Sequence, residues 1–348
     1  MNTHTLNHVA NRLVAQDKGL LAADESETTC NRRFLALGIA QTEAARRSYR
    51  ELLLTTPGLA DAINGVILCD ETVRQATVDG TPFVKLLAND GILAGIKVDL
   101  GAKEMAGFPG EKITEGLDGL RDRLSAYAAT GLRFAKWRAV ITIGENMPTR
   151  GCIDANANAL ARYAALCQEA GLVPIVEPEV LMDGEHDLER CRSVTEDVLH
   201  VVFDALYRHK VLLEGMILKP NMVLPALHCK TQATLDAVAD ATLQCLLRTV
   251  PAAVAGIAFL SGGQSPQLAS ARLNAMNRPD RAPLPWPLAF SFARAIQQPA
   301  LDIWRGADAN VVPAQQALYH RAICNRDARR ATYDLELDRE DTFLPATH

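Results

Sequence analysis

The chain has 348 residues, of which 48% are hydrophobic and 22% charged, a composition that supplies a full core and excludes disorder over most of the length. Its formal charge of -5 offers no basic field to a nucleic-acid backbone or an anionic membrane, so basic residues must act locally. No run approaches the roughly 18 apolar residues of a membrane span, the opening stretch Met1–Gln16 lacks a basic region followed by an apolar one, and the eight cysteines include no C-x-x-C pair; reduced core thiols in a cytoplasmic protein are expected.

After an N-terminal helical extension, the first strand-like run is Gly19–Ser26, followed by Gly65–Asp70 and Ala94–Asp99. Lys112–Thr130 then places Leu117, Leu120, Leu124 and Tyr127 at helical spacing, with Gly131 as the stop. Strand Phe134–Ile143 leads to a helix over Asp154–Ala170, with Asp154 as N-cap and Gly171 past its end. The pattern continues with strand Val173–Val180, helix His186–His209, strand Glu214–Lys219, helix Thr231–Thr249, strand Ala255–Ser261, a helix from Ser265, and strand Leu288–Ser291. Eight strand–helix alternations without a Gly/Pro/Ser-rich linker predict an α/β fold, one closed (β/α)8 TIM barrel. The barrel is expected over residues 1–330, with residues 331–348 as an acidic, solvated C-terminal tail carried by Asp334–Asp341.

Barrels of this kind hold their active sites where the strands end, and here those ends are charged. Residues two apart on a strand share a face, which pairs Asp24 with Ser26, Lys97 with Asp99, Lys136 with Arg138 and Glu177 with Glu179. Lys219 closes the apolar run Met216–Leu218, immediately before Pro220. Burial disfavours an ammonium, and the neutral amine is the form that attacks a carbonyl to make a Schiff base. Glu177, Glu179 and Asp24 are the candidate acids and bases, with the two glutamates expected to split each other's titration. Lys136 is expected to oppose a second positive charge and so favour neutral Lys219. The turn Ser261-Gly262-Gly263, feeding a helix, and Arg294 after the last strand sit where barrels bind phosphate. Arg33 and Lys97 are candidates for a second anion.

Six stretches taken together, LAADES (Leu21–Ser26), GIKVD (Gly95–Asp99), FAKWR (Phe134–Arg138), IVEPE (Ile175–Glu179), LKPNM (Leu218–Met222) and LSGGQS (Leu260–Ser265), closely resemble class I fructose-bisphosphate aldolase, from Leu20 to about Trp304 and in the same order. The resemblance implies a (β/α)8 barrel, usually a homotetramer, that needs no metal or other cofactor. Its implied reaction is the reversible cleavage of fructose 1,6-bisphosphate to dihydroxyacetone phosphate and glyceraldehyde 3-phosphate, in glycolysis and gluconeogenesis. Matched motif by motif, Lys219 looks like the Schiff-base lysine, Glu177 like the acid–base residue of carbinolamine dehydration, and Asp24 like the group at the C4 hydroxyl. Lys136, Glu179 and Arg138 resemble the supporting charge network. Ser261, Gly262, Gly263, Ser291 and Arg294 look like the C1-phosphate site, and Ser26, Arg33 and Lys97 like the C6 end.

Two features depart from that pattern. Animal members end in a tyrosine that returns to the site, whereas no tyrosine follows Tyr333 here and the last residue is His348, a departure that puts the tail-tyrosine step in question. Ala293 stands where the family's phosphate stretch usually has glycine, which raises a steric question. The alternatives are a lyase of the same mechanism acting on fructose 1-phosphate or sedoheptulose 1,7-bisphosphate, and a non-catalytic barrel that binds sugar phosphates. A metal-dependent lyase is disfavoured because the histidines are scattered, His4 and His8 being the only close pair at helical spacing.

Overall fold

The structure is a computed structural model and describes residues 3–340. Eight parallel strands close into a barrel: Gly19–Ala23, Ile63–Leu68, Leu93–Lys97, Phe134–Ile141, Val173–Val180, Ile217–Leu218, Gly256–Phe259 and Leu288–Phe292. Closure occurs where Leu20 of the first strand pairs with Ser291 of the last. All eight are the strands expected from the sequence, but several stop short. The first ends at Ala23 and the third at Lys97, and a 3-10 turn at Leu213–Gly215 precedes the two-residue sixth strand. Beyond these ends the backbone still borrows single ladder bonds, as when Lys219 N donates to Val176 O at 2.8 Å.

Leu20, Ile67, Leu93, Phe134, Val173, Ile175 and Ile217 pack inside the barrel and are capped from below by Leu6, Ala10, Leu13 and Val14. The first three of these cap residues recur along helix Thr3–Leu13 at the spacing of one buried face. Small residues make room for the filling: a Cβ on Gly95 would lie 2.2 Å from the Phe134 ring, and one on Gly65 would lie 2.8 Å from Leu13. His4 and His8 are exposed on the same helix. No helix among the described residues is long and apolar enough to cross a membrane.

Four expectations shift. Lys112–Thr130 is not one helix: Lys112–Thr114 pairs antiparallel with Ala102–Glu104, and the helix begins only at Leu120. Gly116 and Gly119, at φ 126° and 65°, take the chain out of helical geometry between the two. The helix expected from Asp154 begins at Arg150 under a Thr149 cap, and Asp154 instead pairs with Arg150 at 2.9 Å. Asp187 and Thr234 cap the helices Leu188–Arg208 and Leu235–Thr249, which start later than expected, whereas Ser265 caps Pro266–Met276 as expected. Finally, the stretch expected to be solvated after Asp334 contains helix Leu335–Glu340, and its Asp338 is buried against Arg321, Tyr333 and His320. Asp341 to His348 lie outside the described residues. All eight cysteines are free; six are buried, and Cys69 and Cys229 are half-buried.

Candidate active site

A cavity of about 540 Å³ opens at the C-terminal ends of the strands. Thirteen of the fourteen candidate residues line it: Asp24, Ser26, Arg33, Lys97, Lys136, Arg138, Glu177, Glu179, Lys219, Ser261, Gly262, Ser291 and Arg294. Gly263 is the exception; its φ is +84°, and a Cβ there would lie 3.6 Å from the Arg294 guanidinium.

At its floor four buried charges alternate in a chain. Asp24 Oδ2 lies 2.7 Å from Lys136 Nζ, which is 3.2 Å from Glu177 Oε2; Glu177 Oε1 lies 3.0 Å from Lys219 Nζ. None of the four residues is more than 8% exposed. Removing isolated charges from water is prohibitive, so their survival here rests on alternation of sign. Burial alone would raise the Asp24 carboxyl, but Lys136 and Lys219 outweigh it and bring it down to about 2. Burial likewise opposes ionisation of Glu177, and Lys136, Lys219 and Arg138 together hold it below the usual carboxylate range. Desolvation pushes Lys136 down, but Asp24 and Glu177 prevail and hold it well above the ordinary lysine value.

This arrangement corrects two expectations. Glu177 stands between Lys136 and Lys219, so the two lysines do not simply confront each other. Nor do the two glutamates act as a shared pair: Glu179 bonds the Arg138 guanidinium, while Glu177 faces the lysines. The arrangement offers a defined proton route. A proton passed from Lys219 to Glu177 along their 3.0 Å contact leaves a neutral amine beside a protonated carboxyl, the pair that imine formation requires.

At one side of the cavity, the turn Ser261–Gln264 is closed by Gln264 N donating to Ser261 O at 3.0 Å. Gly262 has φ +54°, and a Cβ there would sit 3.0 Å from Met182 Sδ, which explains a glycine at this point. Ser291 Oγ is buried with no hydrogen-bond partner among the described residues. Helix Arg294–Trp304 opens without a side-chain cap, leaving its first N–H groups to an anion or water. Exposed Arg294 stands at the same point. Ala293 has φ -102°, a value open to any residue, so the substitution for glycine imposes no left-handed strain.

The opposite side is more occupied than expected. Ser26 is the N-cap of helix Glu27–Ala36, its Oγ accepting from Thr29 N at 3.3 Å. Arg33 donates to Glu25, to Gln297 at 3.0 Å and to Gln298 at 3.2 Å, and Glu25 also pairs with buried Arg50 at 2.9 Å. Lys97 pairs with Asp99 at 2.8 Å. The sequence reading missed Arg32 and Thr29, which also line this side. Arg32 is exposed and has no ion-pair partner among the described residues. The Ser26-to-Thr29 capping interval was the available signal, since it fixes which helix positions turn towards the mouth.

The family model for fructose-bisphosphate aldolase class-I matches residues 5–343. The chain is 56% identical over 323 residues, 92% of its length and 96% of the relative's, to a probable fructose-bisphosphate aldolase class 1 of Xanthomonas campestris. It is 52% identical over 316 residues, covering 91% of this chain and 88% of the other, to cytosolic fructose-bisphosphate aldolase 6 of Arabidopsis thaliana. Among solved structures, the fructose-bisphosphate aldolase of Plasmodium falciparum superposes with a TM-score of 0.93 at 46% identity, covering 95% of both chains. With eight strands closed around a buried lysine and these matches along nearly its whole length, the chain belongs to the class I fructose-bisphosphate aldolase family.

Proposed function

We propose that this protein cleaves fructose 1,6-bisphosphate reversibly to dihydroxyacetone phosphate and glyceraldehyde 3-phosphate through an imine on Lys219. The observation that carries the reading is the buried chain Asp24–Lys136–Glu177–Lys219, set between two anion-accepting sides of one cavity.

Glu177 takes a proton from the Lys219 ammonium, and the freed amine attacks the C2 carbonyl. Glu177 then returns its proton to the carbinolamine hydroxyl, which leaves as water and gives the iminium. Asp24, ionised because the lysines hold it down at about 2, accepts the proton of the C4 hydroxyl. The C3–C4 bond breaks, its electrons move into the iminium to form an enamine, and the aldehyde departs. Asp24 gives up the proton it accepted as C3 gains one, and hydrolysis by one water releases the second product and restores the lysine. Lys136, pinned between Asp24 and Glu177, keeps both carboxylates in place while charge moves. Ser261, Gly262, Ser291 and Arg294 hold the C1 phosphate. Ser26, Arg33 and Lys97 serve the C6 end, with Arg33 and Lys97 offsetting the charge of Glu25 and Asp99 and Arg32 as the cation left for the phosphate.

On the same reading residues 1–330 are the catalytic unit, the protein works as a homo-oligomer, and it acts in the cytoplasm, the compartment printed in the name of the Arabidopsis relative. Cleavage assays on fructose 1,6-bisphosphate and fructose 1-phosphate, each with and without EDTA, test the proposal. The expected result is higher kcat/KM on the bisphosphate and the same rate with chelator. Loss of cleavage with EDTA, or preference for the monophosphate, would overturn it.

A further inference from the structure

A second buried polar cluster lies outside the cavity, where helix Leu335–Glu340 docks against helix Val311–Arg329. His320 and Cys324 are four residues apart on the longer helix and therefore share one face. Asp338 reaches across from the shorter one. Asp338 Oδ1 lies 2.8 Å from His320 Nε2, while Cys324 Sγ lies 3.5 Å from that nitrogen and 3.7 Å from that oxygen.

We propose that His320 Nε2, Cys324 Sγ and Asp338 Oδ1 form a structural binding site for a zinc ion, separate from the catalytic cavity.

The donor set is one imidazole, one thiolate and one carboxylate, the mixture that zinc takes in tetrahedral sites. Bonds of about 2.0 to 2.3 Å in a tetrahedron place neighbouring ligand atoms roughly 3.3 to 3.6 Å apart. The two distances to Cys324 Sγ already fall close to that range, and only the 2.8 Å His320–Asp338 contact must open, by about half an ångström on the same geometry. The surroundings suit the role. Arg321 and the Tyr333 hydroxyl both bond the other oxygen of Asp338, which turns Oδ1 towards His320 and Cys324, as partners behind a metal ligand do. Arg321 is itself fixed by Pro266 O at 2.8 Å and Ser270 Oγ at 2.6 Å. The His320 side chain is 28% exposed, and a water would be the fourth ligand. One thiolate and one carboxylate offset the charge of the ion. The ion would link the two helices and fasten the start of the chain's last segment to the barrel, a role unconnected with the chemistry at Lys219.

The test uses the full chain, stripped with chelator, dialysed, and titrated with Zn2+ against a chromophoric chelator, with Co2+ as the optical probe. One Zn2+ per chain and a thiolate-to-cobalt charge-transfer band are expected. His320→Asn and Cys324→Ser should each weaken binding by more than about 100-fold, while Cys229→Ser, which alters a half-buried thiol elsewhere, leaves it unchanged. Both ligand variants keep fructose 1,6-bisphosphate cleavage, which certifies their folding. Should one not fold, the other decides. Absence of stoichiometric binding, a cobalt spectrum without a thiolate band, or undiminished affinity in a folded ligand variant would overturn the proposal.

Discussion

The two ends of the barrel are built on the same strands from opposite chemistry. On strand Phe134–Ile141, Phe134 packs in the apolar interior and Lys136, two residues on, lines the cavity; on Val173–Val180, Val173 and Ile175 lie inside and Glu177 and Glu179 line the mouth. Ile217 and Lys219 repeat the step. One inward face thus changes from oil to charge as it climbs. The lower half, plugged by Leu6, Leu13 and Val14, supplies rigidity. The upper half holds buried charges that alternate in sign and would be costly if any one lost its partner. Stability and reactivity are divided by height, and each half can be perturbed alone.

The largest separation comes from Lys219→Met, which should lower cleavage by at least about 10⁴-fold in kcat and leave a folded barrel by circular dichroism. Glu177→Gln should reduce kcat by about 10² to 10⁴-fold with little change in KM, because it removes proton transfer and not phosphate contacts. The converse experiment is Leu13→Ala at the plug, which should cost about 2 to 5 kcal/mol in denaturant unfolding and leave kcat of the folded enzyme unchanged. A fall in kcat as large as that of Glu177→Gln would show that the two halves are not independent. Smaller again is Arg294→Ala, expected to raise KM for the bisphosphate by about 10 to 100-fold through loss of a charged hydrogen bond to phosphate.

The smallest effect concerns the docked C-terminal helix. His320 is raised from 6.5 to about 10, first by its bond to Asp338 and then by Cys324. A raised value stabilises the docked form fully below about pH 6.5, and that contribution fades as pH rises towards 10. Arg321, Tyr333 and Asp338 face the same ring or its partner. In metal-free protein, hydrogen exchange corrected for intrinsic rate should show less protection of residues 335–340 at pH 9 than at pH 6. Equal protection at both would remove His320 from the docking.

The barrel was legible because each strand is an apolar run with a polar end, a pattern carried by neighbouring residues. Lys219, Glu177 and Asp24 were legible for the same reason. What escaped depends on partners distant in the chain. Lys112–Thr114 has helical periodicity beyond it, but pairs with Ala102–Glu104 across a turn. Arg33 looked like a free cation until Gln297 and Gln298 arrived from the far end of the sequence to occupy it. The acidic run after Asp334 reads as solvated, and only the fold brings Arg321 and His320 to Asp338. That Lys136 does not face Lys219 directly escaped for a similar reason, since sequence spacing does not show that Glu177 lies between the two lysines.

The proposed chemistry turns on Lys219 carrying the substrate as an imine. Incubating the protein with dihydroxyacetone phosphate, reducing with borohydride and mapping the adduct by peptide mass spectrometry addresses it directly. One reduced adduct per chain is expected, on Lys219, and none in Lys219→Met; labelling of Lys136 or another lysine instead, or no adduct in a protein that cleaves the bisphosphate, would rule out the Lys219 imine.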